Sequence, residues 1–134
     1  MNTVEVLART LWGEARNQGV EGMEAVASVI LNRAKSPKWW GTDITSVCLK
    51  KNQFSCWLDI PETAKNLAAL KAVTDKDPEF KVAMDVETRA VAGTLVDSVA
   101  GAQYYYERHM PAPPKWVDKL KFIKRVKDHL FYKE

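Results

Sequence analysis

The sequence predicts a mainly α domain with a minor extended or β part near its middle and its end. Three observations predict this class. Apolar residues recur at helical spacing over residues 3–16 and again over 21–35. The helical pattern resumes over residues 61–95 with one break. The segments in between carry turn residues, prolines and aromatic runs that suit loops and short extended pieces.

The first helix is read over residues 3–16. Val4, Leu7, Ala8, Leu11, Trp12 and Ala15 form one apolar stripe, Asn2 or Thr3 can cap the start, and Asn17 and Gly19 suit the stop. The second covers residues 21–35, with Met23, Val26, Ala27, Ile30, Leu31 and Ala34 as its stripe. Ser36-Pro37 ends it, because the residue before a proline avoids the helical region. Residues 36–60 mix Trp39, Trp40, Gly41, Phe54 and Trp57 with polar residues, so loop or a small hairpin is expected. Thr42 or Asp43 can cap a short helix through Leu49. The break in 61–95 falls near Asp75 to Pro78, with Asp77 as cap and Pro78 in the first turn of the next helix. Phe80, Ala83, Met84, Glu87, Ala90, Val91 and Leu95 then share one side. Asp97 to Gly101 reads as a turn, 102–106 as an extended segment, and Met110 to Pro114 as a proline-rich loop. The last twenty residues fit either a helix or a short helix plus strand.

The 134 residues suffice for one domain, 1–134, with a real core, and no repeat or linker divides them. A composition of 46% apolar and 28% charged residues excludes a disordered chain. No run is apolar and long enough to cross a membrane. The N-terminus shows no basic-then-apolar leader, so synthesis and initial residence in a cytoplasm are expected. Cys48 and Cys56 make neither a disulfide framework nor a metal spacing, and two free, half-buried thiols are expected, a bridge being the alternative. Net charge is +3, but residues 115–134 hold six lysines and one arginine against three acids. That tail reads as a solvated face, or as a patch for a polyanion.

Glu14 is the residue that invites chemistry. It lies roughly 90° from the centre of the first helix's stripe, at the edge of the buried face and near the helix end. Partial desolvation there would raise its pKa, as a general acid requires. Gly13 beside it removes a side chain and would let a substrate come close.

Around Glu14 the sequence resembles a known family. Leu-Ala-Arg-Thr-Leu-Trp-Gly-Glu-Ala-Arg (7–16), followed by Glu-Gly-Met-Glu-Ala-Val-Ala-Ser-Val-Ile-Leu-Asn-Arg (21–33), is similar to the cell-wall hydrolases that include the spore-cortex-lytic enzymes. Gln-Phe-Ser-Cys (53–56), Gly-Ala-Gln-Tyr-Tyr-Tyr (101–106) and Lys-Trp-Val (115–117), the last with the distal His-Leu-Phe-Tyr (129–132), follow in the family's order. The resemblance implies a lysozyme-like fold, with a helical lobe and a smaller lobe flanking a cleft. It also implies cleavage of peptidoglycan glycan strands, with Glu14 as the catalytic acid. The chain departs from the pattern in its more charged 62–90 stretch, and in Glu107-Arg108-His109 where a relative carries Asn-Pro.

Glycoside cleavage ordinarily uses two carboxyl groups. Glu21, which also matches the family motif, is the candidate partner, although a glutamate at a helix N-terminus is favoured by the dipole alone. Asp43 and Asp59 are weaker candidates. A lytic transglycosylase needs only one glutamate, and with no clear second acid that chemistry is favoured over hydrolysis. Gln53 and Ser55 are expected to hydrogen-bond the sugar, with Phe54 as a core anchor. Tyr104, Tyr105 and Tyr106 alternate faces if extended, so some rings are buried while others reach the cleft. Trp116, together with Trp39, Trp40 and Trp57, is available to stack on sugars. Arg16 and Arg33 are read as solvated helix charges, with capture of peptide-stem carboxylates as the alternative. No cofactor and no metal are expected, since the chemistry is acid–base alone.

The expected partner is bacterial peptidoglycan, with no nucleic acid, and the chain is expected to be monomeric. The expected setting is a phage or prophage endolysin that acts on the wall once the inner membrane opens. Two rivals stand beside this. One is a non-catalytic wall-binding or virion-associated module; the other is a nucleic-acid binder using the basic tail, which predicts steeply salt-dependent affinity.

Overall fold

The computed structural model describes residues 1–134 as five helices, short 3-10 turns and one small sheet. Helix α1 (Thr3–Ala15) is capped by Asn2, whose side chain accepts the Glu5 amide at 2.9 Å. A 3-10 turn at Arg16–Gln18 leads into α2 (Gly19–Lys35), and Gly19 takes a φ of +71° at the junction. Helix α3 (Ile44–Leu49) starts on a capping box between Asp43 and Ser46. Helix α4 (Ala64–Ala72) precedes the break, and α5 (Pro78–Ala92) starts on the Asp77 cap, which accepts the Phe80 amide at 3.0 Å.

The burial of α1 and α2 exceeds what their stripes predict. Val6 and Thr10 are buried in α1, whereas Val4 is exposed. The cause is crowding: α2, α3, α4 and α5 all pack against α1. Thr10 is satisfied in that core, donating to the Val6 carbonyl at 2.7 Å and accepting from Trp57 Nε1 at 2.8 Å. Helix α2 is buried on two sides. Met23, Val26, Ala27 and Ile30 join the main helical core. Ala25 and Val29 join a second cluster with Val99, Ala102 and Phe131. Leu31 and Ala34 are only half-buried, and on α5 Met84 and Val91 are exposed.

The second cluster docks the sheet. Strands β1 (Tyr104–Glu107), β2 (Lys121–Val126) and β3 (His129–Lys133) run antiparallel in the order β1-β3-β2. The register pairs Tyr105 with Phe131 and Glu107 with His129. The ambiguous last twenty residues are therefore a 3-10 turn at Lys115–Lys119 followed by a hairpin. The expected β part near the middle is absent: residues 36–60 hold α3, 3-10 turns and one isolated bridge between Lys38 and Gly41. That segment is organised by Trp40, fully buried and donating Nε1 to the Arg33 carbonyl at 3.0 Å, rather than by a ladder. Trp40 is thus core and takes no part in sugar stacking. Cys48 and Cys56 are both free thiols. No helix is long and apolar enough to cross a membrane.

Candidate active site

Glu14 sits in the last turn of α1, half-buried, at the seam between the helical lobe and the sheet. Two donors from different parts of the chain reach it. Tyr105 on β1 donates its hydroxyl to Oε1 at 2.8 Å. The Cys56 backbone amide, in the 3-10 turn Ser55–Trp57, donates to Oε2 at 3.3 Å. Burial raises the Glu14 pKa above the ordinary glutamate value; the bonds from Tyr105 and Cys56 oppose the rise without cancelling it. The side chain is therefore a weaker acid than usual, held in one orientation by two donors that also suit the carboxylate it becomes. Tyr105 stays protonated far into the alkaline range, because it is buried and its ionised form would face Glu14.

Gly13 has a structural purpose beside the one expected. A Cβ there would stand 2.6 Å from Cys56 Cβ and 2.9 Å from its sulfur. The missing side chain admits the Cys56 turn and so delivers the Cys56 amide to Glu14, while Gly13 also lines both cavities at Glu14. Burial, and then the neighbouring Glu14 charge, push the Cys56 thiol well above the ordinary range, so it is no nucleophile at neutral pH.

Two cavities meet at Glu14. One, of about 450 Å³, is bounded by Asn17, Gln18, Glu107, His109, Asp128 and His129. The other, of about 550 Å³, is bounded by Arg33, Gln53, Ser55, Tyr105, Tyr106 and Trp116, again with Glu107 and His129. A third, of about 410 Å³, continues past Arg33 to Trp39, Lys50 and Lys51. Together they form a groove across the seam with Glu14 near its middle.

The predicted residues distribute unevenly along it. Ser55, Tyr105, Tyr106 and Trp116 line the groove at Glu14, and Tyr104 lines its far arm. Gln53 reaches the wall, but its amide nitrogen is committed to the Trp40 and Val47 carbonyls at 3.2 and 2.7 Å, so it fastens the loop. Glu21 lies apart, exposed on the start of α2, with its carboxylate 3.4 Å from Lys127 Nζ. It lines neither cavity at Glu14, which fits the helix-terminus reading of this residue better than a partnership with Glu14. Asp43 is spent on capping α3, and Asp59 is exposed outside these cavities. Trp57 donates to Thr10, whereas Trp39 is exposed at the end of the groove. Arg33, expected in solvent, is buried.

Glu107, His109, Asp128 and His129 were not singled out as site residues from the sequence, and the sheet register brings them here. Glu107 is two residues from Tyr105 on the same strand and so on the same face, a signal that the alternation of a strand makes legible. His109 Nδ1 meets Glu107 Oε1 at 2.5 Å, and Arg108 pairs with Asp128 at 2.8 Å. The ligand-type atoms of Glu107, His109 and Asp128 lie within 4.8 Å of one another, the chemistry of a cation site. Two of the three are already partnered with each other, and the third with arginine. Burial lowers the His129 pKa, and its Nδ1 has no partner.

Residues 17–132 match the family model described as Cell Wall Hydrolase. The chain belongs to the cell wall hydrolase family. The match begins three residues after Glu14. Full-length similarity reaches further: a spore cortex-lytic enzyme of Halalkalibacterium halodurans is 27% identical over 97% of this chain. One of Bacillus subtilis is 28% identical over 97% of it. This chain spans only 34% and 37% of the length of those two relatives. Among solved structures, the catalytic domain of the germination-specific lytic transglycosylase SleB from Bacillus anthracis superposes with a TM-score of 0.73 at 26% identity. It covers 99% of this chain and 95% of that one. The catalytic domain of the Bacillus cereus SleB protein superposes at 0.69 with 24% identity, over 98% and 89%. The fold of this family member is therefore lysozyme-like, mainly α with a small sheet.

Proposed function

We propose that this chain cleaves peptidoglycan glycan strands as a lytic transglycosylase, with Glu14 as the only acid–base group. The observation that carries the proposal is the Glu14 carboxyl itself: desolvated, raised in pKa, and gripped by Tyr105 at 2.8 Å in the middle of a groove. The relative of known structure is named as a lytic transglycosylase, which supports the same reaction here. Glu14 gives its proton to the glycosidic oxygen, the C1–O bond breaks, and the leaving sugar departs as an alcohol. The Glu14 carboxylate, held by Tyr105 and Cys56, then takes the proton of the sugar's own 6-hydroxyl. That oxygen bonds to C1 and closes an anhydro ring, so no water is consumed and the glutamate is regenerated.

A second reading rests on Glu107, the only other carboxylate that lines both cavities at Glu14. There it would activate water for hydrolysis. Mass spectrometry of fragments released from purified peptidoglycan separates the two. Anhydromuramic ends from wild type and none from Glu14→Gln support the transglycosylase. Reducing ends that vanish in Glu107→Gln support the hydrolase. No release by wild type, or equal release by Glu14→Gln, overturns the assignment.

The biological setting of the proposal is phage or prophage lysis, with synthesis in the host cytoplasm and access to the wall after the inner membrane opens. Host cells expressing the chain should lyse only when that membrane is permeabilised. Survival after permeabilisation would overturn this setting without touching the chemistry.

A further inference from the structure

Arg33 is a buried cation with no anion. Only 7% of its surface is exposed. Its Nε donates to the Gln103 carbonyl at 2.7 Å, and the two terminal nitrogens make no hydrogen bond. None of the chain's ion pairs includes it. Its guanidinium carbon stands 5.5, 5.8 and 5.9 Å from the ring centres of Trp40, Phe54 and Tyr104. Those rings offer faces to the charge but no lone pairs to the in-plane N–H groups. A charge taken out of water is ordinarily paired and hydrogen-bonded. Arg33 also lines both the Glu14 cavity and its neighbour, on whose rim Lys50 and Lys51 add two further cations.

We propose that Arg33, supported by Lys50 and Lys51, is a subsite for a carboxylate carried by the glycan strand. This rests on the peptidoglycan reading above. The planar fork of a guanidinium matches a carboxylate with two parallel hydrogen bonds, which neutral hydroxyl or acetamido groups cannot equal. Lys50 and Lys51 lie only on the Arg33 side of Glu14 and Asp128 only on the other, while Glu107 lines both cavities at Glu14. The charge pattern therefore sets the direction in which a strand crosses Glu14, with its carboxylate on the Arg33 side. The strand has two sources of such a group: the lactyl ether of muramic acid where the peptide has been removed, and the peptide stem where it has not.

The deciding experiment changes the ligand and leaves Arg33 alone, because Arg33 also holds the Gln103 carbonyl and its loss could unfold β1. Calorimetry on the Glu14→Gln chain, which does not consume its ligand, gives Kd for two series of soluble strands. One is denuded of peptide and one carries stems, each with carboxylates free or converted to amides. Amidation should weaken binding at least tenfold, the worth of a charge-assisted pair. A response in the denuded series identifies the lactyl carboxylate; a response confined to the other identifies the stem. The Lys50→Gln/Lys51→Gln double variant should bind free carboxylates a few-fold more weakly and amides unchanged. Equal Kd for free and amidated strands in both series overturns the subsite, as does absence of binding to any strand. Cleavage assays on wild type keep the two ideas apart. Normal cleavage without carboxylate preference removes the subsite alone, whereas carboxylate preference without cleavage removes the enzyme.

Discussion

The helical lobe and the sheet lobe meet at one carboxyl group and are built on opposite principles. In the helical lobe three of the five helices announce their starts locally, through Asn2, Asp43 and Asp77, and α1, α2 and α5 show apolar faces. The sheet lobe has no such local logic. Its strands β2 and β3 are joined by two residues, yet β1 is completed by a partner about twenty-five residues away, and Phe131 anchors the whole against α2. The helical lobe supplies Glu14 and the Cys56 amide; burial at the seam raises the Glu14 pKa, and the Tyr105 hydroxyl from the sheet opposes that rise. The lesson is a division of labour: a rigid frame presents the acid, and a long-range contact tunes it.

That contrast can be broken from either side. The largest effect is expected from Glu14→Gln, which should lower fragment release by about 10²- to 10⁴-fold, the usual worth of a general acid. The same variant should remove a pH dependence of stability. Because the folded-state pKa of Glu14 lies above the ordinary 4.5, the folded protein holds this proton longer than the unfolded chain. Stability is thus fullest below the ordinary value and is lost as pH rises through the folded one. The thermal midpoint of Glu14→Gln should overtake that of wild type as pH climbs through this window, and parallel curves would contradict the assignment.

Next in size is Phe131→Ala. It should cost about 3–5 kcal/mol by denaturant unfolding and detach the sheet from α2. If exchange protection falls in the sheet while α1 and α2 keep theirs, the two lobes are separable units. A uniform loss would mean that they are one. Gly13→Ala should cost about 1–3 kcal/mol, because its methyl group meets Cys56 Cβ at 2.6 Å. Its catalytic loss should exceed its stability loss, since the Cys56 amide is pushed off Glu14.

Tyr105→Phe sharpens the comparison most. Removing the hydroxyl takes away a bond that lowers the Glu14 pKa, so the alkaline limb of the rate–pH profile should move upward. The plateau should fall about tenfold, the worth of one hydrogen bond to a charged group. A downward shift, or none, would show that Tyr105 is only packing. The smallest effect belongs to Asn2→Ala, about 1 kcal/mol from the lost cap and no change in the profile.

Much of this was legible in the chain. The starts of α1, α3 and α5 followed from Asn2, Asp43 and Asp77, because capping acts over a few residues, whereas Gly19, expected to stop the first helix, opens the second. The edge position of Glu14 followed from helix geometry alone. What failed, failed for long-range reasons. Val6 is buried because α1 has neighbours on several sides, and Ala25 is buried because the sheet covers the second face of α2. Gln53 lines the groove with its amide nitrogen tied to the Val47 carbonyl, and Trp40, one of several rings available for stacking, is core; both follow from backbone partners that no local pattern shows. For Glu21 the sequence leaves both a helix-terminus residue and a second acid open, and the path of α2, which carries it away from the groove to Lys127, favours the first.

The sequence by itself determined a mainly helical domain and a glutamate at the margin of its first helix, since helical periodicity and capping are local properties of the chain. Only the tertiary structure decided what surrounds that glutamate: Tyr105 within 2.8 Å, Glu107 on both cavities it lines, and a buried Arg33 without a counter-charge. Desolvation and charge pairing depend on which distant segments pack together, and no local pattern in a sequence records that.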